Sequence, residues 1–542
     1  MKKTILSLLT LIFLFQYHAT TAQDYLETAT ITGAGTTTDN SQLWTDITSV
    51  TIDVTDISYV LLTASINMRP DGASDKGREA NYNIYRSDFI TDESGIIKRQ
   101  MLRNVETGVE SWGIGTLVHI FDVSGLTGNK TYVLEHSNQG TTDTGRNVYS
   151  SARLTAVALT TEINNYELSN NVQRLSSGIN TVSDVFTAVT GLTSNTISLP
   201  LSGDIYVAAS INGKADGGGS VAEYKLEYST DSGSNWFDLG KAVKRSMLNT
   251  WDDGIVSLVG LLPLQAVGSG YMFRVAHRRV SGSNTITTNN ANLVAIALSH
   301  TTGHFPSFYS EVPTLGVDIT GVSTTPTEVT SSNFTAAADI GGIGPGLYVN
   351  AQYLVSATGL NEVTPQRMRA RNQLFLDDGI NPIMEADAYF RYISDNSNFG
   401  SGGFIGLAED LTELSSFSIS MRHGVEYVSA PDATEDETLT TSEIILTGFQ
   451  TYDTAGAALS VDELSIALGI HIYGQLGNIE IKTDKPFVGT VKVYTILGKL
   501  IAQKKILNKY ETIIPIGNYK GVGIVSIKTI EGEILSKKVL IN

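Results

Sequence analysis

Short runs of apolar and β-branched residues, many with alternating polar positions, recur along the chain between turn-forming residues. Residues 51–54 and 59–64 are rich in β-branched and aromatic side chains, and residues 224–228 alternate between apolar and charged positions. Residues 271–275 and 293–298 continue the pattern. Such runs predict β-strands. No long run with helical period follows the N-terminal segment, so we predict an all-β protein.

The pattern is repeated along the chain. Ala64-Ser65-Ile66-Asn67 recurs at 209–212, the basic segment 98–102 recurs at 244–248, and the apolar run 154–159 recurs at 293–298, each after about 140 residues. A diverged third copy is indicated by residues 347–349, which repeat 205–207. It is also indicated by residues 403–407, aligned with 113–117 and 254–258, and by the apolar run 444–446.

We therefore predict repeats at residues 24–162, 166–303 and 305–453. A period of about 140 residues is too long for a solenoid, so each copy should be a domain. About eight to ten strands without helices predict a two-sheet sandwich of the jelly-roll type. The predicted fold class is thus all-β, with three tandem jelly-roll-like β-sandwich domains followed by a small C-terminal β-sandwich.

In length and strand rhythm the copies resemble jelly-roll heads of the complement and tumour-necrosis-factor superfamily, and equally jelly-roll carbohydrate-binding modules. The first resemblance implies association around a threefold axis, which three copies on one chain could reproduce. The connectors near 163–168 and 303–306 are short, so freely separated domains are not expected. Of the two remaining arrangements, we predict a rod of three sandwiches over a compact pseudo-trimer, because extension gives an adhesive protein reach.

The N-terminus predicts export. Lys2 and Lys3 precede an apolar stretch at 5–15, and small residues at 20–22 precede a predicted cleavage before Gln23. This is the pattern of a secretory signal peptide over residues 1–22. No later stretch reaches about 18 apolar residues, so no transmembrane segment is predicted. The chain has no cysteine, which excludes lipidation, disulfides, thiolate nucleophiles and cysteine-rich zinc sites.

The last segment has a pattern of its own. Residues 491–501 form a strand–turn–strand sequence, and residues 521–528 and 537–541 form further apolar strands. Together they resemble a type A C-terminal sorting domain of the type IX secretion system, over residues 466–542. Gly523 stands where that family usually has a tyrosine. The resemblance implies a Gram-negative bacterium, passage across its outer membrane by the secretion machinery, and a place at the outer cell surface or in the medium.

Charge separates this segment from the body. Residues 466–542 hold 11 Lys against 5 Asp and Glu, or +6, and the signal peptide adds +2, so a total of −18 leaves −26 on residues 23–465. A body this acidic will not bind nucleic acid or anionic lipid non-specifically. No nucleic-acid partner is therefore predicted.

No catalytic constellation is evident. There is no Gly-x-Ser-x-Gly elbow, and carboxylates are too dispersed to name an acid/base pair. Residues 229–236 resemble one Asp-box hairpin, whereas a sialidase would carry several copies and an arginine cluster. His136, His277 and His423 occupy comparable places in the three copies. They could be metal ligands, but we predict partly buried histidines bonded to backbone carbonyls.

One cluster is a candidate binding site. If residues 366–371 are extended, Arg367, Arg369 and Arg371 share one face, about 6.5–7 Å apart. Such a row suits carboxylates or sulfates. The alternative is a solvated face neutralised by Glu362, Asp377 and Asp378. A smaller basic cluster in copy 2 comprises Arg274, Arg278 and Arg279.

No cofactor is predicted, and calcium is the one cation considered. The loops at 432–437 and 377–379 are acidic but lack EF-hand spacing. We predict a non-enzymatic, adhesin-like binding protein, with the secretion machinery and a polysaccharide or surface glycoprotein as partners. The alternatives are an accessory glycan-binding protein of a polysaccharide-degrading system and, third, a β-rich hydrolase or lyase. The repeats favour binding, because duplication raises avidity.

Overall fold

The computed structural model consists of β-strands throughout the part of the chain that it describes. Those residues are 23–24, 26–38, 44–55, 57–71, 77–88, 98–103, 113–139, 147–159, 172–175, 178–199, 202–216, 219–247, 254–300, 303–304, 307–311, 317–320, 323–335, 345–358, 367–377, 382–385, 389–393, 400–408, 411, 416–429, 438–452, 454–455, 470–475, 478–495, 499–517, 521–529 and 534–541. The predicted all-β class is confirmed, and the predicted signal peptide lies outside these residues. Within them no helix could span a membrane.

The three copies lie in one compact unit of residues 24–338 and 345–453, and residues 454–542 belong to a second unit. Each copy has two antiparallel sheets made from eight strand positions, labelled A to H in chain order. One sheet has the order A-H-C-F and the other B-G-D-E. This is a jelly roll in each copy, as the strand pattern predicts. We call A-H-C-F the inner sheet and B-G-D-E the outer sheet.

The strand bounds are as follows, with a small strand β1 at Gln23–Asp24 before the first copy. Copy 1 has β2 Leu26–Thr38 (A), β3 Thr45–Asp53 (B), β4 Tyr59–Asp71 (C), β5 Gly77–Arg86 (D), β6 Lys98–Arg103 (E), β7 Gly113–Asp122 (F), β8 Asn129–Gln139 (G) and β9 Asn147–Leu159 (H). Copy 2 has β10 Val172–Leu175 and β11 Ile179–Thr181 (A), β12 Thr187–Thr193 and β13 Ile197–Leu199 (B), β14 Gly203–Ala215 (C), β15 Ser220–Ser229 (D), β16 Phe237–Met247 (E), β17 Gly254–Gln265 (F), β18 Gly268–Ser281 (G) and β19 Ile286–His300 (H), with β20 Gly303–His304 paired to β19. Copy 3 has β21 Ser307–Glu311 and β22 Val317–Thr320 (A), β23 Ser323–Thr335 (B), β24 Pro345–Thr358 (C), β25 Arg367–Asp377 (D), β26 Pro382–Glu385 and β27 Tyr389–Ile393 (E), β28 Gly400–Ala408 (F), β29 Ser416–Ser429 (G) and β30 Thr438–Tyr452 (H).

The register between strands C and F shows which residues are equivalent. Ser65 pairs with Thr116 in copy 1, Ser210 with Ser257 in copy 2, and Gln352 with Gly403 in copy 3. Gly403 therefore corresponds to Thr116, and residues 400–404 correspond to 113–117. The sequence alignment of 403–407 with 113–117 is wrong by three residues, because the glycines of β28 give no periodicity from which to set the register.

Successive copies contact one another through equivalent atoms of their inner sheets. A backbone N–H of each F strand donates to a side chain of the next C strand. The three bonds run from Val118 to Ser210 Oγ (3.4 Å), from Val259 to Gln352 Oε1 (2.8 Å), and from Ile405 to Ser65 Oγ (3.4 Å). Copy 1 thus binds copy 2, copy 2 binds copy 3, and copy 3 binds copy 1. The three jelly rolls form a closed ring with pseudo-threefold symmetry.

A buried aromatic and polar cluster lies where the C strands meet. Tyr206 and Tyr348 are equivalent residues of copies 2 and 3, and their hydroxyls lie 3.3 Å apart. Thr63 of copy 1 bonds to the Tyr348 hydroxyl at 3.0 Å, and Asn350 Nδ2 donates to the Tyr206 hydroxyl at 2.8 Å. Phe449 packs against both tyrosine rings. All three copies therefore contribute to one buried centre.

The predicted rod is consequently wrong. Strands β7 and β28 are buried along almost their whole length, since one face contacts their own copy and the other contacts the neighbours. Ile114 of copy 1 packs with the core of copy 3, and Leu354 of copy 3 with that of copy 2. Such two-sided burial produces nearly continuous apolar or small-residue runs. The prediction of a rod assumed that an adhesive protein gains reach from an extended shape. The contacts between all three copies exclude that arrangement.

The second unit contains one five-stranded sheet. Its strands are β31 Thr454–Ala455, outside the sheet, then β32 Ile470–Gln475, β33 Asn478–Thr495, β34 Leu500–Pro515, β35 Gly521–Thr529 and β36 Ile534–Ile541. The long β33 pairs with β32, β34 and β35. Its alternating residues Ile479, Ile481, Val491 and Val493 are buried in the core of this unit. This alternation is the pattern that predicts strands from residue 491 onward.

Candidate functional site

The predicted arginine row lies on strand D of the outer sheet of copy 3. Leu374 and Leu376 of this strand are buried in the core, so the alternate positions 367, 369 and 371 belong to its opposite, outer face. Arg369 pairs with Tyr392 on one side and with Glu426 on the other. Arg371 pairs with Phe390 and Gly424. The side chains of Arg367, Arg369 and Arg371 lie outside the described residues.

The same outer positions carry different chemistry in the three copies. The equivalence follows from strand G, where His136, His277 and His423 pair with Tyr82, Tyr224 and Asn372 of strand D. The flanking outer positions are Asn81, Asn83 and Tyr85 in copy 1, Glu223, Lys225 and Glu227 in copy 2, and Arg371, Gln373 and Phe375 in copy 3. These equivalent positions of strand D therefore carry amides and a tyrosine in copy 1, alternating charges in copy 2, and an arginine, a glutamine and a phenylalanine in copy 3.

In copy 2 the basic cluster is neutralised. Arg274 Nε lies 2.6 Å from Glu227 Oε2, and Arg278 pairs with Glu223. Lys225 also pairs with Glu227, at 2.8 Å. Arg279 instead donates to the Ser283 carbonyl at 3.1 Å. The basic cluster of copy 2 is therefore neutralised by acids of the neighbouring strand D.

Aromatic rings cover the same cations in copy 2. Arg274 lies 4.0 Å from the ring centroid of Trp236. Phe186 contacts both Lys225, at 4.4 Å, and Arg278, at 4.5 Å. Each cation therefore has an acid and a ring as partners, which leaves it little capacity for a ligand.

In copy 3 Arg422 lies beside the arginine row, where it pairs in register with Glu328 of strand B. Arg422 of strand G pairs in register with Gln373, and its Cζ lies 3.6 Å from the ring centroid of Phe375. Both side chains are half-buried. Among the residues that the structure describes, no carboxylate forms an ion pair with Arg422. In the described part, the outer sheet of copy 3 thus differs from that of copy 2 in having a half-buried cation that packs against an aromatic ring without an ion-pair partner.

The Asp-box-like segment at residues 229–236 is a hairpin whose turn is stabilised by its own side chains. Asp231 accepts hydrogen bonds from the Asn235 backbone N–H (2.8 Å), the Asn235 side chain (2.6 Å) and the Ser229 hydroxyl (2.7 Å). These bonds, the one from the Asn235 backbone first, lower the pKa of Asp231 to about 2. Trp236 Nε1 donates to the Gly233 carbonyl at 3.0 Å. The hairpin thereby positions Trp236 over Arg274.

The repeated histidines are core residues. His136, His277 and His423 are at most 1% exposed, and burial lowers their pKa values to about 4, 4 and 3. His277 Nδ1 lies 2.7 Å from Thr288 Oγ1, and His423 Nδ1 lies 2.6 Å from Thr441 Oγ1. These threonines belong to strand H, so each pair joins the two sheets of a copy. The histidines are thus fully rather than partly buried, and the partner of His277 and of His423 is a hydroxyl rather than the predicted backbone carbonyl.

The structure gives no support to a metal centre in its described part. No group of three or more His, Asp or Glu side chains there could hold a metal ion. The acidic loop at 432–437 lies outside the described residues, as do residues 378–379 of the acidic turn.

Comparison with known proteins gives one family match, at the C-terminus. Residues 459–541 match a family described as "Domain of unknown function (DUF8694)", and no curated protein matches the chain. One similar structure is the tandem CBM22-1–CBM22-2 domain of Paenibacillus barcinonensis Xyn10C (11% identity, 52% of this chain, 93% of that chain, TM-score 0.17). Another is PNGase F, a glycosylasparaginase from Flavobacterium meningosepticum (10% identity, 53% and 96%, TM-score 0.24). Similarities this weak do not inform the function, and the family match assigns the C-terminal segment alone.

Proposed function

We propose that the chain is a non-enzymatic, adhesin-like binding protein whose ring of three jelly rolls binds acidic polysaccharide on the outer sheet of copy 3. The observation that carries the proposal is the register of strand D in that copy. It places Arg369 and Arg371 on one face beside Tyr392 and Phe390, next to the Arg422–Phe375 contact.

The chemistry of these residue types suits uronate or sulfate groups on a sugar chain. A guanidinium binds a carboxylate or sulfate through two parallel hydrogen bonds. Aromatic rings offer flat apolar surface against which a sugar ring can pack. Same-face positions of one strand repeat about every 6.5–7 Å, so the arginine row offers successive cations to a polymer with repeated negative charge.

The differences between copies support a single acidic-ligand face per ring. Glu223 and Glu227 already occupy Arg278 and Arg274 in copy 2. In copy 1, Asn83 donates to Glu135 at 2.9 Å. In copy 3 the arginine row lies next to Arg422, which forms no ion pair among the described residues.

We also propose export by the type IX secretion system, with display at the outer cell surface or release. Support comes from the resemblance of residues 466–542 to a sorting domain, from their net charge of +6 beside an acidic body, and from their separation as a compact unit.

The binding proposal is tested with the chain lacking residues 1–22. Replacing Arg367, Arg369 and Arg371 with Ser should weaken binding to polygalacturonate and to dextran sulfate by about tenfold or more, since each lost charge-assisted bond is worth ~1.5–3 kcal/mol. Wild-type binding should decline with added salt, and neutral dextran should not bind.

The matched control is Arg274→Ser with Arg278→Ser, which removes cations that already have acid partners. This variant should bind both polyanions as the wild type does. Binding that is independent of salt, or equal losses in the two variants, would contradict the proposed site.

A further inference from the structure

Only one of the three joints in the ring lacks a direct chain connection. Copies 1 and 2, and copies 2 and 3, are consecutive in sequence, whereas the joint between copies 1 and 3 closes the ring without a covalent tether. Hydrogen bonds across this joint include Ile405 N–H to Ser65 Oγ (3.4 Å) and Thr63 to Tyr348 (3.0 Å).

The two tethered joints also contain polar contacts between consecutive copies. Between copies 2 and 3, Gln352 accepts from Val259 N–H at 2.8 Å and donates to the Lys241 carbonyl at 3.1 Å. Lys241 also forms an ion pair with Glu311 at 3.2 Å. Between copies 1 and 2, Asn292 Nδ2 donates to the Val118 carbonyl at 3.1 Å, and Thr116 N–H donates to Ser257 Oγ at 3.1 Å.

The inner face of copy 1 at the untethered joint also contains unsatisfied polar atoms. Arg153 of strand H pairs in register with Ser65 and is 8% exposed, yet its Nε has no acceptor among the described residues. The equivalent residue of copy 2 is Asn292, which bonds to copy 1. The equivalent residue of copy 3 is Ile445, which lies close to Gly240 of copy 2, since a Cβ added to that glycine would be 2.6 Å from the Ile445 side chain. The position therefore faces the next copy, and a guanidinium that cannot lose its charge is buried there.

Two neighbours of Arg153 on the same face also have a buried polar atom without a hydrogen-bond partner among the described residues. Thr155 lies two residues along the same strand, and Asn67 lies diagonally across on strand C. Both are buried, and Thr155 Oγ1 and Asn67 Oδ1 have no partner in the described part. At the equivalent positions of copy 2, which face copy 1, the described atoms without a hydrogen-bond partner are Oδ1 of Asn212 and Oδ1 of Asn292. Neither side chain is charged.

We propose that the ring opens at the joint between copies 1 and 3, and that the freed inner face of copy 1 binds the F strand of copy 3 from a second chain. Opening hydrates Arg153, Thr155 and Asn67, which offsets part of the lost contact. The two freed surfaces are complementary but different, so the intermolecular contact is heterologous and builds head-to-tail oligomers.

The absence of cysteine from the chain permits a direct test by disulfide trapping. In the variant Ser65→Cys/Ile405→Cys, oxidation of dilute protein should give an intramolecular disulfide. Oxidation after incubation at high concentration, just below the unfolding temperature, should give disulfide-linked multimers. The control pair Val259→Cys/Gln352→Cys reports on the joint between copies 2 and 3 and should give intramolecular disulfides under both conditions.

A second variant tests the cause without relying on cysteines. Arg153→Met removes the buried charge while keeping length and apolar contact, so it should reduce the multimer fraction measured by light scattering by about tenfold. Arg274→Met, on the outer sheet, should leave that fraction unchanged. Exclusively intramolecular disulfides in the first pair, multimers of equal yield from the control pair, or an unchanged multimer fraction in Arg153→Met would each overturn the proposal.

Discussion

Tyr206 and Tyr348 are in contact at the centre of the ring, with ring centroids 5.8 Å apart, ring planes at 90°, and hydroxyl oxygens 3.3 Å apart. They are the same residue of strand C in two successive copies. Perpendicular aromatic packing at this distance is favourable, and both hydroxyls have partners from other copies. The packing between copies is therefore as specific as the packing within them.

Replacing Tyr206 with Phe should lower the free energy of unfolding by about 1–3 kcal/mol, because Asn350 would lose the hydroxyl that accepts its hydrogen bond at 2.8 Å. Urea unfolding of the chain lacking residues 1–22 measures the change. Tyr228→Phe is the control, since Tyr228 is only partly buried, on strand D of copy 2. A loss of similar size in both variants would contradict a specific role for the central network.

Gly403 should not tolerate a side chain. A Cβ there would lie 2.8 Å from the Cβ of Ser257 in copy 2 and 3.1 Å from the Ala351 carbonyl oxygen. We expect Gly403→Ala to cost about 1–3 kcal/mol through overpacking between copies 2 and 3, measured as a shift in the urea midpoint. Gly268→Ala is the matched control, because its Cβ would meet no atom within 4 Å. Equal midpoints for the two variants would argue against the tight joint.

Stability should fall in mild acid because of the three buried histidines. Their folded-state pKa values are about 4, 4 and 3, below the ordinary value of about 6.5. The unfolded chain therefore binds more protons in this interval, and stability is lost as the pH falls from about 6.5 toward 4, by up to about 1.4 kcal/mol per pH unit for each histidine.

The variant His277→Gln isolates one of these contributions. Unfolding free energies measured at about pH 7, 6 and 5 should show a shallower pH dependence than in the wild type, because one proton-binding difference has been removed. Identical slopes for the two proteins would show that His277 does not contribute to the acid sensitivity.

Deleting residues 466–542 should leave the protein in the periplasm, because the proposed sorting signal would be lost. Fractionation of cells that express full-length and truncated chains measures the distribution. Replacing Tyr510, which is 60% exposed, with Ser in the full-length chain is a control that should preserve export. Normal arrival of the truncated chain outside the cell would contradict the type IX assignment.

Local features of the fold could be predicted from the sequence, whereas relations between distant strands could not. Alternation at residues 224–228 identifies strand D of copy 2, and the recurring histidines identify equivalent core positions. Arg274 and Arg278 can be located as a basic cluster, but their partners Glu227 and Glu223 follow only from the pairing of strands D and G. The closed ring depends on F strands that are buried on both faces. Burial on both faces normally gives a continuous apolar run, but residues 400–403 of strand F in copy 3 are glycine-rich, so their sequence does not indicate it.

Fusion of three copies into one chain has a consequence for how the molecule can vary. In an assembly of three identical subunits every substitution appears three times, so a new ligand face and a damaged joint both arise in triplicate. Here each residue occurs once per ring, at a fixed place in a fixed order. Strand D can therefore diversify in one copy, as between Glu223 and Arg371, while the equivalent positions of the other two copies keep their own chemistry.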